Sequence, residues 1–212
     1  MAEGMDVALL CVDHWEGLQD RGGYDSGKQF PQDLYNNRLQ QRLIERFLKD
    51  TPDVNVLNGI GHNYSASFAG REFAKFLRVR NPNDIVLRVY VKGSPREPWK
   101  ILIQLIASLI YNMITLVPDE FEVCGDITSQ NFVTFMRRRE GSFDAGLKIL
   151  KALPALDLKG RRILCIVDGL DYAETQDTVH AVSELVSALR EVLAKNHGHL
   201  LYTLSKASKI IG

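Results

Sequence analysis

A surplus of charge is missing from this chain. Its 26 Lys and Arg are matched by 26 Asp and Glu over 212 residues, so the formal net charge is zero. With no global field to attract a polyanion or an anionic membrane, nucleic-acid binding is not indicated, and any such contact has to be local. The one compact basic run, Arg137, Arg138 and Arg139, is followed by Glu140 and reads as a solvated helix end. Cysteine is scarce as well. Cys11, Cys124 and Cys165 are odd in number and show no CxxC spacing, which speaks for reduced thiols inside an intracellular protein. A secretory leader pattern is lacking too: acidic residues flank the first short apolar run of MAEGMDVALLCVDHWEG, where a basic segment and a small-residue cleavage site would be needed. The expected location is therefore cytoplasmic or otherwise intracellular.

The longest apolar stretch, WKILIQLIASLIYNMITLV over 99–117, has the length of a membrane span. Lys100, Gln104, Ser108 and Asn112 recur in it at every fourth position, which makes one narrow polar stripe on a helix otherwise buried in protein. No membrane contact is expected. A hydrophobic content of 45% with 25% charged residues suffices for one full core. Five short runs rich in branched residues, 7–12, 54–57, 85–91, 163–167 and 200–203, read as strands. Between them, helical spacing appears over 34–49, 68–78, 98–116, 146–153 and 178–195, while 22–32 and 118–131 read as loops. Strands alternating with helices predict an α/β fold: a single three-layer domain over 1–212 with a mainly parallel central sheet of about five strands and helices on both faces. Residues 1–50 would contribute a strand, a loop and a helix, and 51–212 the rest. The unbroken apolarity of ILCIV marks 163–167 as a central strand.

That strand belongs to the most informative segment, RRILCIVDGLDY over 161–172, in which Asp168 and Asp171 close a buried strand about a single glycine. Open α/β sheets bind ligands at the carboxyl ends of their strands, so both carboxylates face the functional edge. Upstream, VNVLNGIGHNYSASFAGREFAKF over 54–76 reads as strand, glycine-containing turn and helix. A phosphate loop needs G-x-x-x-x-G-K-[ST], whose amides cradle phosphate while the lysine supplies charge and the hydroxyl holds magnesium. Counted from Gly59, the second glycine is Tyr64, the lysine is Ser65 and the hydroxyl position is Ala66. Ser67 lies one residue on, and Gly70-Arg71 imitates Gly-Lys only in a shifted register, inside the helix.

Degenerate loop, VDGLD and the later HLLYTLSKAS together resemble the nucleotide-binding core of NACHT or other STAND-type P-loop NTPases, over about 54–206. The resemblance implies ATP or GTP with Mg2+ as cofactor, or no cofactor at all where the loop chemistry is lost. It implies that Asp168 holds magnesium through water and that Asp171 orients or polarises a water. Gly59, Gly61, Ser65 and Ser67 would line the phosphates. Thr203 and Lys206 would stand where such proteins sense the terminal phosphate. Read without the resemblance, Asp168 caps the following turn and Asp171 is a solvated loop carboxylate.

Two other chemistries are weighed beside this. Asp13, His14 and Glu16 follow the first apolar run and His62 the second, so Asp13, His62, Asp168 and Asp171 could converge at one sheet edge as a metal-binding or hydrolytic cluster. VALLCVDHW also resembles the opening strand of isochorismatase-like hydrolases, but the nucleophile would have to be Cys124, whose acidic surroundings, FEVCGD, disfavour the thiolate. His180, His197 and His199 have no ligand spacing. The expectation is a degenerate P-loop NTPase-like subunit that binds, scaffolds or regulates through protein partners or self-association, with little or no hydrolysis. An active ATP/GTPase and a metal-assisted hydrolase using Asp13, His62 and Asp168 are the alternatives.

Overall fold

A computed structural model describes residues 54–58, 66–90, 97–122, 125–138, 141–205 and 207–211. In chain order they form β1 (Val54–Asn58), α1 (Ala66–Arg80), β2 (Ile85–Tyr90), α2 (Pro98–Ile114), α3 (Ser129–Met136), α4 (Ser142–Ala152), β3 (Ile163–Asp168), a 3-10 turn (Leu170–Tyr172), α5 (Val179–Lys195) and β4 (His199–Leu204).

Strands β2, β3 and β4 lie side by side, with β1 along the far edge of β4, in the order β1-β4-β3-β2. Every pairing is parallel. The architecture is thus an open, parallel α/β sheet. Four strands, rather than about five, make it up among the described residues; the run 7–12 expected as a further strand lies outside them, as do the helix expected over 34–49 and the loop over 22–32.

Both faces are covered, and this explains the composition of the strands. On one face, Val86, Leu164, Ile166 and Leu201 pack with Ala74 and Leu77 of α1. On the other, the alternate residues, among them Val89, Cys165, Val167, Leu200 and Tyr202, join the larger core formed with α2, α4 and α5. Every residue of β3 and β4 is consequently buried, so these strands are nearly continuously apolar instead of alternating. The route β1 to β2 runs along the sheet through α1 on one face. The routes β2 to β3 and β3 to β4 run the opposite way through helices on the other. Reversing direction and face together keeps all three crossovers of one hand, as parallel connections require.

Helix α2 begins with Pro98 in its first turn, where a missing amide costs nothing. The polar stripe is seen as expected: Lys100 is exposed and Gln104, Ser108 and Asn112 are half-buried, while Ile101, Leu105, Leu109 and Met113 are buried. Among the described residues no helix is long and apolar enough to cross a membrane. The segment 118–131, expected as loop, turns helical at Ser129: the Thr128 hydroxyl accepts the Asn131 amide at 3.1 Å and caps α3. Arg137 and Arg138 then stand exposed at its end, as predicted for these two residues of the basic run; Arg139 and Glu140 lie outside the described residues.

Helix α4 starts at Ser142, four residues before the expected 146, because Gly146 is not a boundary but a contact. A β-carbon there would meet Phe135 Cε2 at 2.5 Å and Ile106 Cγ2 at 2.8 Å. Gly146→Ala should therefore lower stability. The ~1 kcal/mol gained in helix propensity is outweighed by an overpacking cost of about 1–3 kcal/mol. Urea unfolding should show a lower midpoint with an unchanged slope; a raised midpoint would mean that α2, α3 and α4 pack more loosely than this.

Candidate functional site

Parallel strands present their carboxyl ends together, and here β3 ends on Asp168. Gly169, at φ +73, breaks the strand by entering the left-handed region, which a side chain would resist. Its amide donates to the Thr203 carbonyl at 2.8 Å, and the chain then winds into the 3-10 turn. The glycine of VDGLD thus has a backbone reason.

The Asp168 side chain lies on the same sheet face as Ile166, beneath α1, and is fully buried. Its neighbours follow from the register. Thr203 stands directly opposite Asp168 in β4, and its hydroxyl donates to Asp168 Oδ1. In β2, Tyr90 is opposite Asp168. Arg88, two residues earlier on the same face, reaches along the sheet and donates from Nε to Asp168 Oδ2 at 2.6 Å. The guanidinium also lies over the Tyr90 ring, 4.8 Å from its centre, a cation–π contact. The Arg88 side chain is only 15% exposed.

Gly70 of α1 closes the arrangement from above. A β-carbon at this position would fall 1.7 Å from Asp168 Oδ1 and 2.6 Å from Oδ2. Only a glycine lets the helix settle on the carboxylate. The Gly70-Arg71 pair therefore sits within a helix, as expected, and the glycine serves contact with Asp168 rather than a loop.

The charge balance follows from burial. Removal from water pushes the Asp168 carboxyl up to about 6, opposed by the Arg88 charge and by hydrogen bonds from Thr203 and Arg88. Burial, and secondarily the Asp168 charge, pushes the Cys165 thiol up to about 12. Cys165 is accordingly a buried reduced thiol and no nucleophile. Tyr202, also buried, has its phenol raised by desolvation first of all.

Of the residues expected to form a site, Asp168 and Thr203 are in contact. Ser67 falls in the first turn of α1. Asp171 lies in the 3-10 turn and is fully buried, not the solvated loop carboxylate of the simpler alternative. Gly59, Gly61, Ser65 and Lys206 lie outside the described residues, as do Asp13, His14, Glu16, His62 and Cys124. Among the described residues no group of three or more His, Cys, Asp or Glu could hold a metal ion.

Magnesium, implied by the family resemblance, does not fit the groups seen around Asp168. Both carboxylate oxygens already accept from side-chain donors, no part of the residue is exposed, and a guanidinium stands 2.6 Å from Oδ2, where a second cation would be repelled. Arg88 and Gly70 are the residues that sequence reasoning missed. A signal existed for the first: an arginine amid the apolar run IVLRVY needs an acid on the same sheet face. Comparison of the chain with protein-family models, with curated proteins and with solved structures finds no match.

Two outcomes follow from this geometry. Gly70→Ala should displace the Asp168 carboxylate and cost about 3–5 kcal/mol, the scale of breaking a buried ion pair, well beyond the effect of Gly146→Ala in the same urea assay. The second concerns pH. Because the folded-state value of Asp168 lies above its ordinary 3.8, the native state holds the proton more tightly. Its contribution to stability is fully present below about pH 4, declines as pH rises to about 6, and is lost above that; the full change is ~3 kcal/mol. Unfolding free energies of wild type and Asp168→Asn across this window should show the wild type losing stability relative to the variant. A flat difference would mean that pairing with Arg88 offsets the cost of burial.

Proposed function

We propose that this chain is a degenerate P-loop NTPase-like subunit, akin to the STAND and NACHT proteins, that binds, scaffolds or regulates through protein contacts or self-association and hydrolyses little or no nucleotide. The observation that carries this reading is the commitment of the Asp168 carboxylate to Arg88 and Thr203 beneath Gly70. In a working enzyme of this kind that carboxylate has to reach a hydrated metal ion. Here it serves the contact between helix and sheet.

The topology supports the P-loop part of the proposal. Strand β1 leads through 59–65 into α1, and β4 lies between β1 and β3. The carboxyl end of β1 therefore shares one edge with Thr203 and Asp168, and α1 and α5 lie on opposite faces of the sheet. Such a switch point is where open α/β sheets receive ligands. This layout supports a site of nucleotide type as the origin of the fold, while the sequence GIGHNYSAS lacks the lysine and the second glycine and the carboxylate is engaged elsewhere. The metal-assisted hydrolase fares worse, since it requires Asp168 as a ligand and meets the same guanidinium.

Calorimetry and thermal unfolding with ATP or GTP and magnesium provide the test. No saturable heat and no rise in stability are expected at millimolar nucleotide, where a ligand at 100 times its Kd would add ~2.7 kcal/mol. Phosphate release that is abolished by Asp168→Asn would replace this proposal with an active NTPase.

A further inference from the structure

The misfit of magnesium at Asp168 has a positive counterpart in Arg88. A carboxylate at the end of a central strand and a hydroxyl on the adjoining strand end are oxygen ligands of the kind a hard cation takes. In this chain a guanidinium meets Oδ2 and the hydroxyl is turned to the other oxygen, Oδ1. The arginine reaches the carboxylate from β2, two residues before the strand's end, through a buried path along the sheet. Its Nε bonds Oδ2 at 2.6 Å while the Thr203 hydroxyl takes Oδ1. Tyr90 supports the guanidinium from beside, and Gly70 brings α1 down onto the carboxylate.

We infer that Arg88 is a built-in replacement for a divalent cation: its fixed charge neutralises Asp168, holds α1 on the sheet and excludes metal from the strand end. A simple structural ion pair would need only a counter-charge. A replacement for a metal ion predicts in addition that removing the arginine restores metal dependence. The site thereby becomes independent of metal supply and nucleotide state. The idea rests on the P-loop-like reading only for the origin of the carboxylate; the chemistry rests on the contacts themselves.

Manganese, followed by its paramagnetic resonance signal and by thermal unfolding, tests this on the full chain without nucleotide. Wild type and Arg88→Lys should be indifferent to millimolar Mn2+. Arg88→Gln should be less stable than wild type and should regain part of the loss on adding Mn2+ or Mg2+, with a midpoint rise of about 3 °C or more, the size expected for one ordinary contact in a chain of this length. Arg88→Gln combined with Asp168→Asn should not respond. Saturable Mn2+ binding by wild type that Asp168→Asn abolishes would overturn the inference. So would an Arg88→Gln protein indifferent to divalent ions, or one that folds neither with them nor without, since a vacated cation site should be refillable. With nucleotide absent throughout, failure here leaves the proposal on hydrolysis standing, and detection of hydrolysis would leave these metal responses to be judged by themselves.

Discussion

The buried pair of Arg88 and Asp168 sets the terms for everything on the α1 side of this sheet. An ionised carboxylate without exposure is tolerable only with opposite charge and hydrogen bonds around it, and three separate elements meet that demand. Strand β2 supplies the charge, β4 the hydroxyl, and α1 a glycine that lets the helix come close. Among the described residues, Ala74 and Leu77, with Phe73 packed beside them, meet Val86, Leu164, Ile166 and Leu201 on this face, and the polar cluster fixes α1 next to these apolar contacts. The opposite face carries a far larger core, to which all four of the other helices contribute.

Much of this fold is legible in the sequence because parallel strands covered on both faces leave a strong signature. The runs 54–57, 85–91, 163–167 and 200–203 correspond to β1 to β4 within two residues at their ends, and ILCIV is central, flanked by β2 and β4. Helix α3 was not legible. It has only two turns, its apolar residues Phe132 and Phe135 span too short a window to show a period, and its cap, Thr128, looks like an ordinary loop residue. Gly146 misled for a different reason: glycine usually punctuates, and nothing local shows that Phe135 and Ile106 crowd it. The candidate site was half legible. Asp168 and Thr203 are strand-end residues that register brings together, but Arg88 and Gly70 acquire their meaning only once α1 and β2 are placed.

The same geometry separates fold from activity. A parallel order of elements can persist because it satisfies the crossover rule and buries both sheet faces, whatever happens to the residues at its edge. Once an arginine occupies the carboxylate, the edge is held by protein groups alone.

The position of β1 carries a consequence for assembly. Its only strand partner among the described residues is β4, with residue 54 opposite residue 200. Pairing them closes a loop spanning α1, the whole run from β2 to β3, and α5. Loop closure over that distance is paid for before any contact is gained. The strand nearest the start of the sheet in sequence is thus among the last to find its place. Strand β4 decides when β1 is built in.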